Sequence, residues 1–328
     1  MGKLAFVTGA SGFTGSHLCR KLIEQGYAVR ALVRNTSKIE HLRDLQVELV
    51  SGDLASLALS NGALENVDVV FHVAAAYRQE GISKEQFWRV NVDGTAALLQ
   101  AAQRSGVRRF VHCSTVGVQG EIAQPPAPET APYNPGDHYQ ESKMEGEKLA
   151  LRFFQDHDME GVVVRPVGIY GPGDTRFLKL FKFINNGKFR MIGNGNVLYH
   201  LTYVEDLVQG IILAGQKKEA VGNIYTIGGE EYMTLKELVE LIADVLGKPV
   251  PRKRVPLKPV YFAAAACEMI CRPLGLEPPL YRRRLDFFTK DRAFDISKAK
   301  KELGYAPRVP LKEGLARTAK WYKEQGWI

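Results

Sequence analysis

Lys3-Leu4-Ala5-Phe6-Val7-Thr8-Gly9-Ala10-Ser11-Gly12-Phe13-Thr14-Gly15 is the stretch that decides the fold of this 328-residue chain. Residues 3–8 are apolar and β-prone and read as a short buried strand. A helical pattern follows the glycines to about Gln25, where Gly26 and Tyr27 stop it, and Ala28 to Val33 reads as a second apolar strand. Strand, glycine turn, helix and strand within about 30 residues is the context in which such a turn cradles a pyrophosphate. Glycines allow the tight turn, let backbone approach the anion and let the helix pack closely on the sheet. The anion then meets free N–H groups at the helix N-terminus. The bland alternative is a structural loop ahead of a helix.

Far along the chain, Tyr139-Gln140-Glu141-Ser142-Lys143 places a phenol and an ammonium four residues apart on one predicted helix. An i,i+4 pair shares a face, and a nearby cation favours the phenolate. The pair therefore suits proton exchange with an alcohol or carbonyl. Alone it would more often be a solvated helix face; the glycine turn raises its weight.

Together, Thr8 to Gly15, spaced Gly-x-x-Gly-x-x-Gly, and Tyr139/Lys143 resemble the extended short-chain dehydrogenases/reductases, the NAD-dependent epimerase/dehydratase superfamily. Arg165-Pro166-Val167-Gly168-Ile169-Tyr170-Gly171-Pro172-Gly173, Leu201 to Leu207 and Phe294 to Pro307 extend the resemblance over nearly the whole chain. It implies an α/β fold: a Rossmann-type doubly wound parallel sheet with a smaller C-terminal α/β lobe. The dinucleotide-binding domain would occupy 1–173, with sheet elements returning from 200–228, and the substrate lobe mainly 174–328.

The resemblance assigns Tyr139 as acid/base and Lys143 as its partner and holder of the nicotinamide ribose. A hydroxyl at the end of the predicted strand Arg109–Cys113 would orient the reacting oxygen. Counting back from Gly120 places that role on Thr115, with Ser114 the alternative. Cofactor contacts are expected from Gly9, Ser11, Gly12, Phe13, Thr14 and Gly15, and from Asp53-Leu54 at the adenine. Ala74, Ala75 and Ala76 would lie beside the pyrophosphate, Asn91 in the next helix, and Pro166 and Val167 near the nicotinamide. After the second strand an NAD site would carry Asp or Glu; this chain has Arg34, with Lys38 and, more distantly, Arg30. Arg34 suits a 2′-phosphate fork, so NADP is preferred, with NAD the alternative.

Further elements are expected at 46–50, 68–73, 87–105, 139–156 and 162–165. The helices over 87–105 and 139–156 are those the family pairs in a homodimer. The chain carries +8 formal charge, with basic residues spread throughout. No aromatic-basic nucleic-acid pattern appears, so the excess suits an anionic cofactor or substrate. Cys19, Cys113, Cys267 and Cys271 show no zinc-like spacing, so no metal is expected, and a reducing, cytoplasmic setting is inferred. No signal peptide is read, since the N-terminus enters a strand at once. The apolar run Val260 to Cys271 is too short to span a bilayer. It reads as a lobe helix covering the cleft; its flanking Arg252, Lys253, Arg254, Lys258 and Arg272 also admit a membrane-surface contact.

The expected chemistry is hydride transfer at a secondary alcohol or ketone. Nucleotide-sugar members usually carry an Arg ahead of the Tyr-Val-x-Asp-Leu segment; here Asn196-Val197-Leu198-Tyr199-His200 has none. That points to the 3β-hydroxysteroid dehydrogenase and dihydroflavonol-reductase-like branch and an apolar, sterol-like substrate. Arg282, Arg283, Arg284 and Arg292 keep a nucleotide-sugar epimerase with retained NAD open, unless the run is a solvated face. A dehydratase fits less well, because the family's Asp-Glu pair is replaced by Val116-Gly117. A non-catalytic cofactor sensor is the remaining alternative.

Overall fold

The computed structural model of the chain describes residues 2–37, 39–56, 58–59, 62–77, 82–271, 273, 276 and 278–328. Its strands, in chain order, are β1 (Leu4–Thr8), β2 (Ala28–Val33), β3 (Val47–Asp53), β4 (Ala58–Leu59), β5 (Val69–His72), β6 (Arg109–Cys113), β7 (Glu160–Pro166), β8 (Gly168–Tyr170), β9 (Met191–Ile192), β10 (Leu198–Tyr203), β11 (Ile224–Ile227), β12 (Tyr232–Thr234) and β13 (Arg254–Val255). The helices are α1 (Phe13–Glu24), α2 (Glu40–Arg43), α3 (Lys84–Trp88), α4 (Gly94–Arg104), α5 (His138–Asp156), α6 (Leu178–Asn185), α7 (Val204–Gln216), α8 (Leu235–Leu246), α9 (Leu257–Cys271), α10 (Asp286–Thr289) and α11 (Leu311–Glu324).

The main sheet runs β11-β7-β6-β5-β1-β2-β3-β4. Its first seven strands are parallel, and β4 pairs antiparallel at the edge. Such strands are buried on both faces, so they read as continuous apolar runs instead of alternating ones. Val162, Val163 and Val164 of β7 are fully buried. Leu18 and Leu22 of α1 pack with Leu207 and Ile211 of α7 on one face. Leu98, Leu99 and Ala102 of α4 pack with Ala150 and Phe154 of α5 on the other. This is the Rossmann-type doubly wound sheet. The chain builds outward from β1 to β3 and returns to β5, so the order reverses between β1 and β5, where such sheets bind ligands.

A second, three-stranded sheet, β12-β10-β8, begins two residues after β7 ends. It shares an apolar cluster with α6, α8 and α11, in which Phe181, Leu238, Ile242 and Tyr322 are buried. β9 and β13 form a two-stranded ribbon.

Two element expectations change. The third strand runs on to Asp53, making that residue the last of β3. The helix expected over 87–105 is three pieces: α3, a π-helical turn over Arg89–Asp93, and α4. Ser83 caps α3 through a reciprocal box with Gln86, which starts the helix earlier than apolar spacing suggests.

Candidate active site

The glycine turn is held so closely that Gly9 and Gly15 leave no room for a side chain. Gly9 has φ +74°, and a methyl there would come within 2.7 Å of the Ala74 nitrogen. A Cβ on Gly15 would fall 2.0 Å from the Gly9 carbonyl oxygen. The Gly12 N–H donates to that same carbonyl at 2.9 Å. α1 starts from Gly12 with no side-chain cap and no acidic residue in its first turn. Its leading N–H groups and dipole therefore favour an anion. This cradle, which a Cβ would fill, fits a dinucleotide pyrophosphate.

The turn forms one end of a cleft of 1590 Å³. Gly9, Ser11, Gly12, Phe13, Thr14, Gly15, Arg34, Asp53, Leu54, Ala74, Ala75, Ala76, Ser114, Thr115, Tyr139, Lys143, Pro166 and Val167 all line it. Lys38 lies outside the described residues. Arg30 is not among the lining residues: its guanidinium donates to the Ala63 and Glu65 carbonyls and pairs with Glu48 at 2.8 Å. Ser37 connects the loop after β2 to the turn, accepting from the Arg34 N–H at 3.2 Å and from the Ser11 hydroxyl at 3.4 Å. The Asp53 carboxylate accepts from the Ala55 N–H at 2.9 Å, which fixes the side chain at the strand end.

Asn91 sits behind the cleft wall, 1% exposed. Its amide holds both sides of Ala76, accepting from the Ala76 N–H at 2.8 Å and donating to its carbonyl at 3.1 Å. The same amide nitrogen donates to the Ser142 hydroxyl of α5 at 2.9 Å. The π-helical turn is what presents it, in keeping with the frequency of such bulges at functional sites.

A second chain of hydrogen bonds fixes Ala74, and its direction follows from the donors available. The Ala74 N–H donates to the Thr8 hydroxyl at 3.1 Å, and the Thr95 hydroxyl donates to the Asn91 carbonyl at 2.8 Å. The Thr8 hydroxyl must then donate to His72 Nδ1 (2.8 Å), and His72 Nε2–H to Thr95 (3.0 Å). A neutral imidazole has one donor and one acceptor nitrogen, as this sequence requires. Burial, and secondarily Lys143, pushes the His72 pKa down from 6.5 to about 3.

α5 carries the Tyr-x-x-x-Lys pair inward. Asp137 caps it, accepting from the Gln140 N–H at 2.6 Å, and also forms an ion pair with Arg283. Tyr139 is 9% exposed and Lys143 2%. The Tyr139 ring meets Tyr77 and Phe87 edge-on at 5.2 and 6.1 Å. Lys143 Nζ donates to the Cys113 carbonyl at the end of β6, at 2.7 Å, and burial lowers its pKa. That bond ties the helix to the strand end bearing the two candidate hydroxyls. Thr115 Oγ1 accepts from the Gly117 N–H at 3.1 Å, which orients the hydroxyl and leaves its own proton to donate. The Ser114 hydroxyl is buried without a hydrogen-bond partner among the described residues.

Several cleft residues were not expected from sequence. Arg176 pairs with the buried Asp174 at 2.6 Å and lies over the rings of Phe13 and Tyr77. The pair directly after Gly171-Pro172-Gly173 is a local cue to it. Phe183, Phe189, Phe287 and Phe288 line the far end, with Lys179 and Lys290. α9 does not cover the cleft; none of its residues line it. The arginine run Arg282–Arg284 lies exposed on a short 3₁₀ turn, as a solvated face would, but its side chains are engaged. Arg282 pairs with Glu268, Arg283 with Asp137, and Arg284 donates to the Pro279 carbonyl at 2.7 Å. Arg292 donates to the Tyr199 hydroxyl and the Asp286 carbonyl at 2.7 and 2.8 Å.

The model of the NAD dependent epimerase/dehydratase family matches residues 5–228. The chain is 31% identical to a putative dihydroflavonol 4-reductase of Synechocystis sp., covering 98% of this chain and 95% of that one. It is 30% identical to a 3 beta-hydroxysteroid dehydrogenase/Delta 5-->4-isomerase of Mycobacterium tuberculosis, covering 96% and 89%. The crystal structure of UDP-glucuronic acid 4-epimerase from Bacillus cereus in complex with NAD superposes with a TM-score of 0.79 at 25% identity, over 98% of this chain and 99% of that one. With its doubly wound sheet and its glycine cradle at the strand-order reversal, the chain belongs to the NAD-dependent epimerase/dehydratase family of extended short-chain dehydrogenases/reductases, and is an oxidoreductase of that family.

Proposed function

We propose that the protein is a dehydrogenase/reductase acting at a secondary alcohol or ketone carbon of an apolar substrate, with NADP(H) preferred over NAD(H). The observation that carries this is the shared cleft. Tyr139, Lys143 and Thr115 line it together with the glycine cradle, and phenylalanines line its far end. A mostly apolar wall with a few convergent polar groups suits a hydrophobic ligand. The bound nicotinamide would supply the hydride chemistry. Tyr139 exchanges the proton with the substrate oxygen. Lys143, fixed by the Cys113 carbonyl, biases the tyrosine toward phenolate and offers its remaining N–H donors to the ribose. Thr115 donates to the reacting oxygen as negative charge develops there.

For the cofactor, Arg34 in the cleft with no acidic residue beside it at the end of β2 supports a 2′-phosphate. The C-terminal residues that close the far end serve as the substrate lobe. We further propose a homodimer through α4 and α5, and a cytoplasmic setting consistent with four free cysteines. A nucleotide-sugar epimerase with retained NAD is the second reading, favoured by the cationic lining of Lys179, Arg283, Arg284, Lys290 and Arg292, of which Lys290 is paired with Asp286 at 3.3 Å. The engaged state of Arg282, Arg283, Arg284 and Arg292 weighs against it.

Tyr139→Phe tests the chemistry. Turnover should fall about 10²–10⁴-fold while dinucleotide binding, read by nicotinamide fluorescence, stays near wild type. Unchanged turnover would reject Tyr139 as the acid/base. Nicotinamide that survives dialysis, together with interconversion of a nucleotide sugar, would favour the epimerase instead.

A further inference from the structure

α9 wears its apolar residues on the outside. Phe262, Met269 and Ile270 are 69%, 73% and 63% exposed, and with exposed Ala266 they fall at i, i+7, i+8 and i+4. That spacing is one helix face. The single acidic residue of α9, Glu268, points the other way. It is buried, accepts from the Arg282 N–H at 2.8 Å and pairs with the Arg282 guanidinium at 2.9 Å. An ordinary surface helix has the opposite arrangement, and a contiguous apolar patch of this kind marks an interaction surface.

The segment entering the helix supplies the second observation. Lys248, Arg252, Lys253, Arg254 and Lys258 are all exposed, and no acidic residue interrupts them. Val250 and Tyr261, each 44% exposed, are apolar residues interspersed with this basic segment in the sequence. At 15 residues, α9 is about 22 Å long. No helix among the described residues is long and apolar enough to cross a membrane.

We propose that α9 and the cationic segment before it dock on an anionic lipid bilayer, with the helix lying in the plane of the headgroups. A bilayer offers apolar depth and negative potential side by side, which is the combination this surface presents. A second copy of the chain offers the first without the second. An isologous contact would bring two copies of the same cationic segment into one interface, and like-charge juxtaposition opposes that. Arg282, held by α9, is followed directly by Arg283, Arg284 and Leu285, which line the cleft. The docking face and the cleft therefore share one segment of chain.

The test uses the full chain and sedimentation with vesicles of mixed phosphatidylglycerol and phosphatidylcholine. The protein should pellet with these vesicles, release at high salt, and stay in solution with phosphatidylcholine alone. Phe262→Glu/Ile270→Glu should weaken partitioning by at least about tenfold, and Arg252→Glu/Lys253→Glu should remove the dependence on anionic lipid. Both variants lie outside the cleft, so nicotinamide binding and thermal unfolding should match the wild type and report intact folding. Three results would overturn the proposal. These are wild type that does not pellet, an apolar-face variant that pellets equally, and self-association through α9 that the same variant abolishes without changing vesicle binding.

Discussion

On the proposed function, Arg34 and Thr115 each carry one decision of the site in a single side chain. Removing Arg34 should cost NADP(H) about ten- to a hundredfold in affinity, the range of a lost charge-assisted hydrogen bond. NAD(H) should change little, because it lacks the 2′-phosphate. Calorimetric titration of Arg34→Ala with both dinucleotides measures the ratio, and an equal loss would reject the phosphate role. For the strand-end hydroxyl, Thr115→Ala should lower kcat about 10²–10³-fold, as expected for a lost oxyanion donor. Ser114→Ala removes a buried hydroxyl that has no partner among the described residues, so stability should hold or rise and kcat should change little. The reverse pattern would assign the role to Ser114. Residue type and offset from Gly120 nominate Thr115 from sequence, and both Thr115 and Arg34 reach the cleft wall. The bond from Lys143 to the Cys113 carbonyl was not legible there, because it joins residues 30 apart and depends on how α5 meets β6.

Among the elements, β2 and β6 fall where apolar runs and flanking breakers place them. The π-helical turn does not announce itself, because apolar spacing cannot register one extra residue inside a helix. What makes room for it lies on a different helix. Gly146 of α5 faces the Asn91 carbonyl so closely that a Cβ would fall 2.3 Å from its oxygen. Gly146→Ala must therefore push the turn away from α5. A cost of about 1–3 kcal/mol is expected, read as a lower urea midpoint. Dinucleotide affinity should also fall, because Asn91 holds Ala76 through two bonds. A variant with unchanged affinity would show that this clamp does not position the cleft wall. The arginine run was likewise illegible: the partners of Arg282 and Arg283 lie 14 and 146 residues earlier in the chain.

Across the whole molecule, burial lowers the pKa of His17, His72, His112 and His200 together. In the unfolded chain these groups take up protons near pH 6.5, whereas folded His72 waits until about 3. The unfolded state thus binds more protons in that window, and stability falls as pH falls through it. For His72 the loss is about 1.4 kcal/mol per pH unit between its unfolded pKa and about 3, and His17, His112 and His200 act in the same direction. Urea midpoints should therefore drop steeply between pH 7 and 5, before most carboxylates titrate. His72→Gln should flatten part of that slope; a midpoint independent of pH in this range would contradict neutral burial.

The return of β11 to the side of β7 also sets an order of events during synthesis. The last parallel strand is translated only after residues 167–223 have emerged, and these must begin a second sheet of their own. Until then β7 is a bare edge, and Val162, Val163 and Val164, fully buried in the finished protein, sit on the growing border of the sheet. An unpaired apolar edge is a template for pairing with other chains, and incomplete folding intermediates are where aggregation begins. The vulnerable moment of this protein is thus the interval on the ribosome between its sixth parallel strand and its seventh.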